Sequence, residues 1–445
     1  MLALEAGPIG GDGLNFVEII ARKRDGLELS PAEIQAFVRG ASNGHLGDEQ
    51  LAAMLMAICI RGASAGETQA LVEEMRDSGA RWRVGESFPE AVDKHSTGGV
   101  GDTVSLAFAP LVASCGVPVV MMAGGGLGHT QGTLDKLSAI PGFRPAGTYA
   151  QAKGLLEKCG ICFATQSDEI APADRRLYLL RDLTGTVPSL PLIVASIMSK
   201  KLAVGANRLV LDVKMGSGAF CKTPEAAREL ADALVRVAVQ AGVQVRAVIS
   251  DMSQPLGDRL GCASEVRAAL DVLAGRGDFR LRELTLELAA EALVLAGRKP
   301  EAARAELQRK LAGGAALAAY DVMVRAHGGD PDEAKLARPR TVVVVTATRP
   351  GFVASVDAEA LGWIAVSLGA GRRRLAEQLD LAAGVVVRAR VGDRVAPGQP
   401  LATLELGDRQ VDAGALAART AEAFVIAEQA PELRPLVSAR LGGSA

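Results

Sequence analysis

The segment Asp93-Lys94-His95-Ser96-Thr97-Gly98-Gly99-Val100-Gly101-Asp102-Thr103-Val104-Ser105 decides the fold. A polar strand end runs into a glycine loop and from there into a stretch, Thr103 to Leu134, with no Asp, Glu, Lys or Arg. Charge-free stretches of that length invite a membrane test, but Pro110, Pro118 and the glycines at 124–126 interrupt this one. The reading that survives is a buried helix to about Cys115 and a short buried strand, Val119 to Met122. Strand, loop, helix, strand is the unit of an α/β domain with a parallel sheet.

Working outward, the same alternation continues downstream. Cys162 to Thr165, Leu209 to Val213 and Gln244 to Ser250 read as strands, and Thr223 to Ala241 as a helix. Upstream the signals are helical. Ser30-Pro31-Ala32-Glu33 combines a capping box with proline at the first helical position, and Gln50 to Ile60 and Thr68 to Asp77 carry an amphipathic period. The final third changes again: Thr341 to Ala347, Gly351 to Val356, Gly384 to Val391 and Pro400 to Leu406 read as short strands between turns, an α+β region. Its Val391-to-Leu401 turn is similar to half of a lipoyl or biotin carrier, but no lysine lies between 336 and 445 to be acylated, so a structural β-unit is expected. Met1 to Gly13 lacks a basic start and an apolar run; it reads as a loose tail and the protein as cytoplasmic.

Composition narrows the partners. With 445 residues, two or three domains are expected at about 150 residues each. Lys plus Arg at 49 against Asp plus Glu at 51 leaves a formal charge of −2, with no basic surplus for a nucleic-acid backbone or an anionic membrane. Aromatics at 3% argue against a base-stacking platform. The six cysteines include one CxxC, Cys159-Gly160-Ile161-Cys162, with no second pair or histidine pair nearby, so packing is the expected role and no metal site is read.

Three blocks carry chemistry. In the first, loop amides, a helix N-terminus, the hydroxyls of Ser96 and Ser105 and the ammonium of Lys94 assemble an anion site. It is neither a Walker loop nor a dinucleotide fingerprint. The second, Met122 to Lys136, is another glycine-hydroxyl loop after a buried strand; loops at successive strand ends can close on one phosphate from two sides. The third runs from Ala171 to Lys201, where Ser196 and Lys200 share a helix face and, with Arg181, offer donors suited to a planar, acceptor-rich group.

These blocks, in this order, closely resemble the thymidine and pyrimidine-nucleoside phosphorylase family. The resemblance spans about Asn15 to Pro431 and rests on five stretches: Asn15 to Gly26, Asp93 to Ser105, Gly126 to Phe143, Arg181 to Phe220 and Ser250 to Leu256. It implies an α/β fold with a separate small all-helical domain and a C-terminal α+β region, the nucleoside phosphorylase and phosphoribosyltransferase architecture of the anthranilate type. Residues 14–80 with 173–203 would form the helical, dimerising and base-binding domain, 90–165 with 207–335 the phosphate-binding domain, and 340–440 the last.

The activity implied is reversible phosphorolysis of a pyrimidine (deoxy)nucleoside to free base and α-(deoxy)ribose 1-phosphate in a homodimer, with phosphate as co-substrate and no required cofactor or metal. Carried over by the resemblance, phosphate ligands fall on Lys94, Ser96, Ser105 and Thr133. Ligands for the base fall on His95, Tyr178, Arg181, Ser196 and Lys200, the catalytic set being His95, Lys94, Arg181 and Lys200. The family binds the two substrates on opposite walls of a cleft that closes on them.

The sequence departs from the family pattern. Where Ser-Gly-Arg-Gly is usual, Ala123-Gly124-Gly125-Gly126 stands; Gln131 replaces a glycine and Ser138 a glutamate. The missing arginine and glutamate suggest a pair released jointly, and the small Gly125 suggests vacated volume for a larger or differently charged sugar or phosphate. Ala268 stands where relatives that bind potassium carry an acid, which leaves potassium binding an open question for this sequence. The alternatives are a phosphoribosyltransferase using a diphosphate sugar with magnesium, and a catalytically weak binding homologue.

Overall fold

A computed structural model describes residues 15–126, 128–167, 169–372 and 377–442. The loose tail read at 1–13 lies outside these residues. Backbone packing divides the chain into two units, one of residues up to 89 with 166–206 and 236–243, the other of 90–165, 207–235 and 244 onward.

The first unit is helical. Ser30 caps helix Pro31–Asn43 as the sequence reads, and Ser64 caps helix Ala65–Asp77 in the same way, each in a capping box with the glutamate three residues on. Glu67 does more than cap. Its buried carboxylate also pairs with Lys23 of helix Phe16–Arg24 at 2.7 Å and accepts the Leu29 amide at 2.9 Å, which fastens three segments at one point. Helix Leu190–Val204 packs against Ala65–Asp77, and helix Pro172–Thr184 is tied in by Arg176, which donates to the carbonyls of Ala41 and Leu46 and pairs with Asp48.

The second unit is built on a six-stranded sheet. Its parallel strands are β1 (Val92–Ser96), β2 (Val119–Ala123), β3 (Ile161–Thr165), β4 (Arg208–Met215) and β5 (Gln244–Asp251), arranged β5-β4-β1-β2-β3. Strand Val437–Gly442 adds antiparallel to β5. The charge-free segment becomes helix Val104–Ser114, nine of whose eleven residues are buried among helices Phe279–Leu295 and Ala315–Ala326. Its freedom from charge is thus explained by a protein interior on all sides. Among the described residues no helix is long and apolar enough to cross a membrane.

Two pairings join residues 340–440 to the rest of the second unit. Val437–Gly442 completes the main sheet, and Arg259–Leu260 joins the small sheet of Gly384–Val387, Pro400–Leu406 and Thr341–Thr346. The strand expected over Gly384 to Val391 stops at Val387, because the amides of Arg388 and Ala389 both turn to the carbonyl of Leu401, a bulge that ends regular pairing.

Cys159 and Cys162 are free thiols at the end of helix Tyr149–Cys159 and inside β3. Burial pushes both thiols up, away from the reactive thiolate, in keeping with packing.

Candidate functional site

The two glycine loops leave the C-terminal ends of β1 and β2, adjacent parallel strands in register at Val92 and Val119. This is where ligands bind in open α/β sheets. In the first loop Gly101 has φ +69°, and a Cβ there would press within 3.2–3.3 Å of the Gly257 backbone, so both conformation and space require glycine. Ser96 organises the turn: its hydroxyl donates to Asp102 at 2.6 Å and its oxygen accepts the Gly98 amide at 3.2 Å.

Beneath the loop lies an ion cluster that sequence reading missed. Lys94, on β1, donates to Ser105 Oγ at 3.3 Å and sits 3.6 Å from Asp212. Lys214, two residues along β4 from Asp212, is 2.7 Å from it and 3.7 Å from Asp102. Ser250 of β5 donates to Asp212 at 2.6 Å. Alternation along a strand puts Lys94 with Ser96, and Asp212 with Lys214, on one face. The signal was present in Arg208-Leu-Val-Leu-Asp-Val-Lys-Met215, where Asp212 and Lys214 interrupt the apolar run that follows Arg208; fully buried charges of this kind are kept only when paired.

Burial lowers the pKa of the Lys94 ammonium, opposed by Asp102 and Asp212. Burial acts on Asp102 too and would raise its carboxyl, but Lys214, Lys94, Lys136 and the Ser96 hydroxyl together hold it well below the usual range. The cluster keeps a cation under the glycine loop at a cost in desolvation, and an entering anion would relieve it.

The second loop is held by Asp135, at the third position of the short helix Thr133–Leu137. Its Oδ2 accepts the amides of Gly126 at 2.5 Å and Gly132 at 3.2 Å. A Cβ on Gly132 would lie 2.2 Å from the Gly125 carbonyl carbon, so the loop closes on itself too tightly for any side chain there. The next residue, Lys136, donates to the Asp102 carbonyl at 2.5 Å and pairs with Glu265 at 2.6 Å, while Thr103 donates to the same Glu265 at 2.7 Å. Both loops are therefore anchored to one another. Thr133 opens this helix, half-buried beside the loop. His95 is half-buried on β1 between Lys94 and Ser96.

Asp135 and Arg372 stand beside Gly125: a Cβ there would meet Asp135 Oδ1 at 3.5 Å and Arg372 Nη1 at 3.6 Å, ordinary contact distances. The Ser138 hydroxyl turns back to the Asp135 carbonyl at 2.7 Å. Gln131, which replaces a glycine, buries its side-chain oxygen without a hydrogen-bond partner among the described residues, an exception of the sort that marks sites. Ala268 is 4% exposed and offers only a methyl, so the position gives potassium no side-chain oxygen. Among the described residues no group of three His, Cys, Asp or Glu side chains is placed to hold a metal.

The remaining predicted residues meet in the helical unit. Helix Pro172–Thr184 carries Tyr178 and Arg181; helix Leu190–Val204 carries Ser196 and Lys200. Lys200 donates to Ser196 Oγ at 3.0 Å and to the buried Asp174. Tyr178 has the Arg181 guanidinium carbon 5.7 Å and the Lys200 ammonium 5.9 Å from its ring centroid, within cation–π range, and burial pushes its hydroxyl up to about 12. Arg181 is 3% exposed and donates to the carbonyls of Leu192 at 3.0 Å and Val187 at 2.7 Å, which pins the turn between the two helices. Its pKa is lowered by burial, opposed by Asp174. The donors of this patch already meet acceptors, Arg181 the carbonyls of Leu192 and Val187 and Lys200 the Asp174 carboxylate, while 22% of the Lys200 side chain stays exposed beside Ser196 and Tyr178.

Three family models match the chain. They are described as "Glycosyl transferase family, helical bundle domain" over residues 17–79, "Glycosyl transferase family, a/b domain" over 88–346 and "Pyrimidine nucleoside phosphorylase C-terminal domain" over 352–425. A thymidine phosphorylase of Sinorhizobium medicae is 44% identical over 432 residues, 95% of this chain and 98% of its own. A pyrimidine-nucleoside phosphorylase of Bacillus subtilis is 45% identical over 405 residues, 90% and 94% of the two chains. Among solved structures, anthranilate phosphoribosyltransferase of Thermus thermophilus covers 69% of this chain and 99% of its own with a TM-score of 0.57 at 20% identity, a likeness of fold alone. With helical, α/β and C-terminal models in sequence and relatives this similar over nine-tenths of its length, the chain belongs to the thymidine and pyrimidine-nucleoside phosphorylase family.

Proposed function

We propose that the chain catalyses reversible phosphorolysis of a pyrimidine nucleoside: phosphate attacks C1′, the N-glycosidic bond breaks, and free base and α-(deoxy)ribose 1-phosphate leave. The observation that carries this is the pair of mutually anchored glycine loops over the buried Lys94, with Ser96 and Ser105 beside it. A dianion seated there meets amides, hydroxyls and an ammonium, and Thr133 adds a hydroxyl from the helix start.

As the bond breaks, the sugar turns cationic and the base anionic. The phosphate stabilises the first. Arg181, Lys200 and His95 stabilise the second by donating toward the ring oxygens, and Ser196 and Tyr178 orient the ring. The scheme uses phosphate as co-substrate and calls on no cofactor. Among the second-loop positions that depart from the family pattern, Ala123 withholds a hydroxyl, and the amide of Gln131 is a candidate replacement.

We also place the working form as a homodimer through the helical unit, which exposes Ile60 (71%) and Leu183 (81%) to solvent. Sedimentation equilibrium tests this; a monomer at micromolar concentration would refute it.

A panel of thymidine, uridine, deoxyuridine and cytidine incubated with phosphate, read by release of free base, tests the activity. Release that requires phosphate supports it. Base turnover only with a diphosphate sugar and magnesium would instead assign a phosphoribosyltransferase, and no turnover in either arm a binding homologue.

A further inference from the structure

We propose that Arg372 is a positioning residue for the oxyanion site: it occupies the place beside Gly125 and, through Asp135, sets the shape of the second glycine loop. The proposal deepens the phosphorolysis reading and rests on it for the identity of the anion.

Arg372 Nη1 lies 2.5 Å from Asp135 Oδ1, a residue 237 positions earlier in the chain. The other oxygen of Asp135 holds the amides of Gly126 and Gly132. The carboxylate is 5% exposed, so without the guanidinium it would be a buried charge held by two amides and nothing cationic on its outer oxygen. Its direction, and with it the spacing of the two glycines, depends on that third contact.

Gly125 explains why the guanidinium can come from so far away. Its backbone is not in the left-handed region and the space about it is ordinary, so neither strain nor collision forbids a side chain. What a side chain would meet is the Asp135–Arg372 pair, at 3.5 and 3.6 Å from its Cβ. One carboxylate therefore faces one cation, and position 125 and position 372 compete to supply it. Here glycine cedes the place to Arg372.

The effect reaches the anion by two routes. Asp135 lies in the same short helix as Thr133, and the adjacent Lys136 is fastened to the first loop at Asp102. A tilt of Asp135 thus moves donors of both loops.

The test uses the full-length protein in a double-mutant cycle of Gly125→Arg and Arg372→Gln. Arg372→Gln should raise the phosphate KM by about tenfold, the loss of one charge-assisted contact, and leave the nucleoside KM within about twofold. Gly125→Arg alone should impair phosphate use, because two guanidinium groups crowd one carboxylate. Together they should restore the phosphate KM to within about threefold of the original, since the new arginine reaches the vacated oxygen. An unchanged phosphate KM in Arg372→Gln, or effects that simply add in the double variant, would overturn the proposal. Thermal midpoints with and without phosphate are read on all four proteins. Coupling of the two positions in the phosphate-induced shift supports the proposal even if no nucleoside is turned over, an outcome that would count against phosphorolysis alone.

Discussion

The ammonium of Lys136 lies 2.5 Å from the backbone carbonyl of Asp102, so the helix after the second glycine loop is bolted to the first. Its ion pair with Glu265 is almost wholly buried, with side-chain exposures of 2% and 1%. Removing one partner leaves the other as an uncompensated interior charge. Lys136→Met should therefore lower unfolding stability by about 3–5 kcal/mol, and the double change Lys136→Met with Glu265→Leu should recover most of it. Denaturant midpoints check this; a single variant as stable as the parent would show that the pair does not hold the loops.

Lys94 makes a separate prediction. Replacement by Gln keeps a polar group on β1 but removes the charge, and a hydrogen bond to a charged partner contributes about 1.5–3 kcal/mol. The phosphate KM should rise by roughly ten- to a hundredfold, with a far smaller change in the nucleoside KM. Initial rates over a phosphate titration at fixed nucleoside decide it. Equal losses for both substrates would assign Lys94 a purely structural role.

The sign of the pH dependence follows from the depressed pKa of Lys94. Burial makes the ammonium give up its proton at a lower pH than an exposed lysine, whose value is about 10.4. Below its own pKa the site is cationic and grips the anion; above it the grip is lost. The ratio kcat/KM for phosphate should fall on the alkaline side before the ordinary lysine range, whereas kcat at saturating phosphate should stay flatter, because the bound dianion pulls the pKa back up. In Lys94→Arg the alkaline fall should disappear, for the guanidinium stays charged. If the fall survives that change, another group titrates.

Ala123 offers a gain of function. It ends β2, half-buried, at the point where the second glycine loop departs. Ala123→Ser would place a hydroxyl there and should lower the phosphate KM by roughly tenfold, one charged hydrogen bond's worth. No change on phosphate titration would mean that the Gln131 amide or solvent already fills the role.

Much of this site was legible along the chain. The glycine loops, the charge-free helix and the Ser196 and Lys200 spacing are local patterns, and each maps onto one loop or one helix. Asp212 and Lys214 were half legible: alternate charges in an apolar strand announce a buried ionic face, but not which partners share it. Arg372 was not legible at all. Its meaning lies in Asp135, and only tertiary packing brings the two together. The pairings of Val437–Gly442 with β5 and of Arg259–Leu260 with Gly384–Val387 were illegible for the same reason, since β-pairing across long sequence intervals leaves no periodic trace in either strand.

One of those long-range pairings bears on how the molecule is made. Strand Val437–Gly442 covers the outer side of β5, and until it arrives that row of amides and carbonyls stands open. A ribosome will have synthesised β1 through β5 long before it reaches Val437. The nascent chain must therefore carry an unguarded sheet margin for much of its elongation, a period in which a chaperone has something to protect and a truncated product would be prone to self-association.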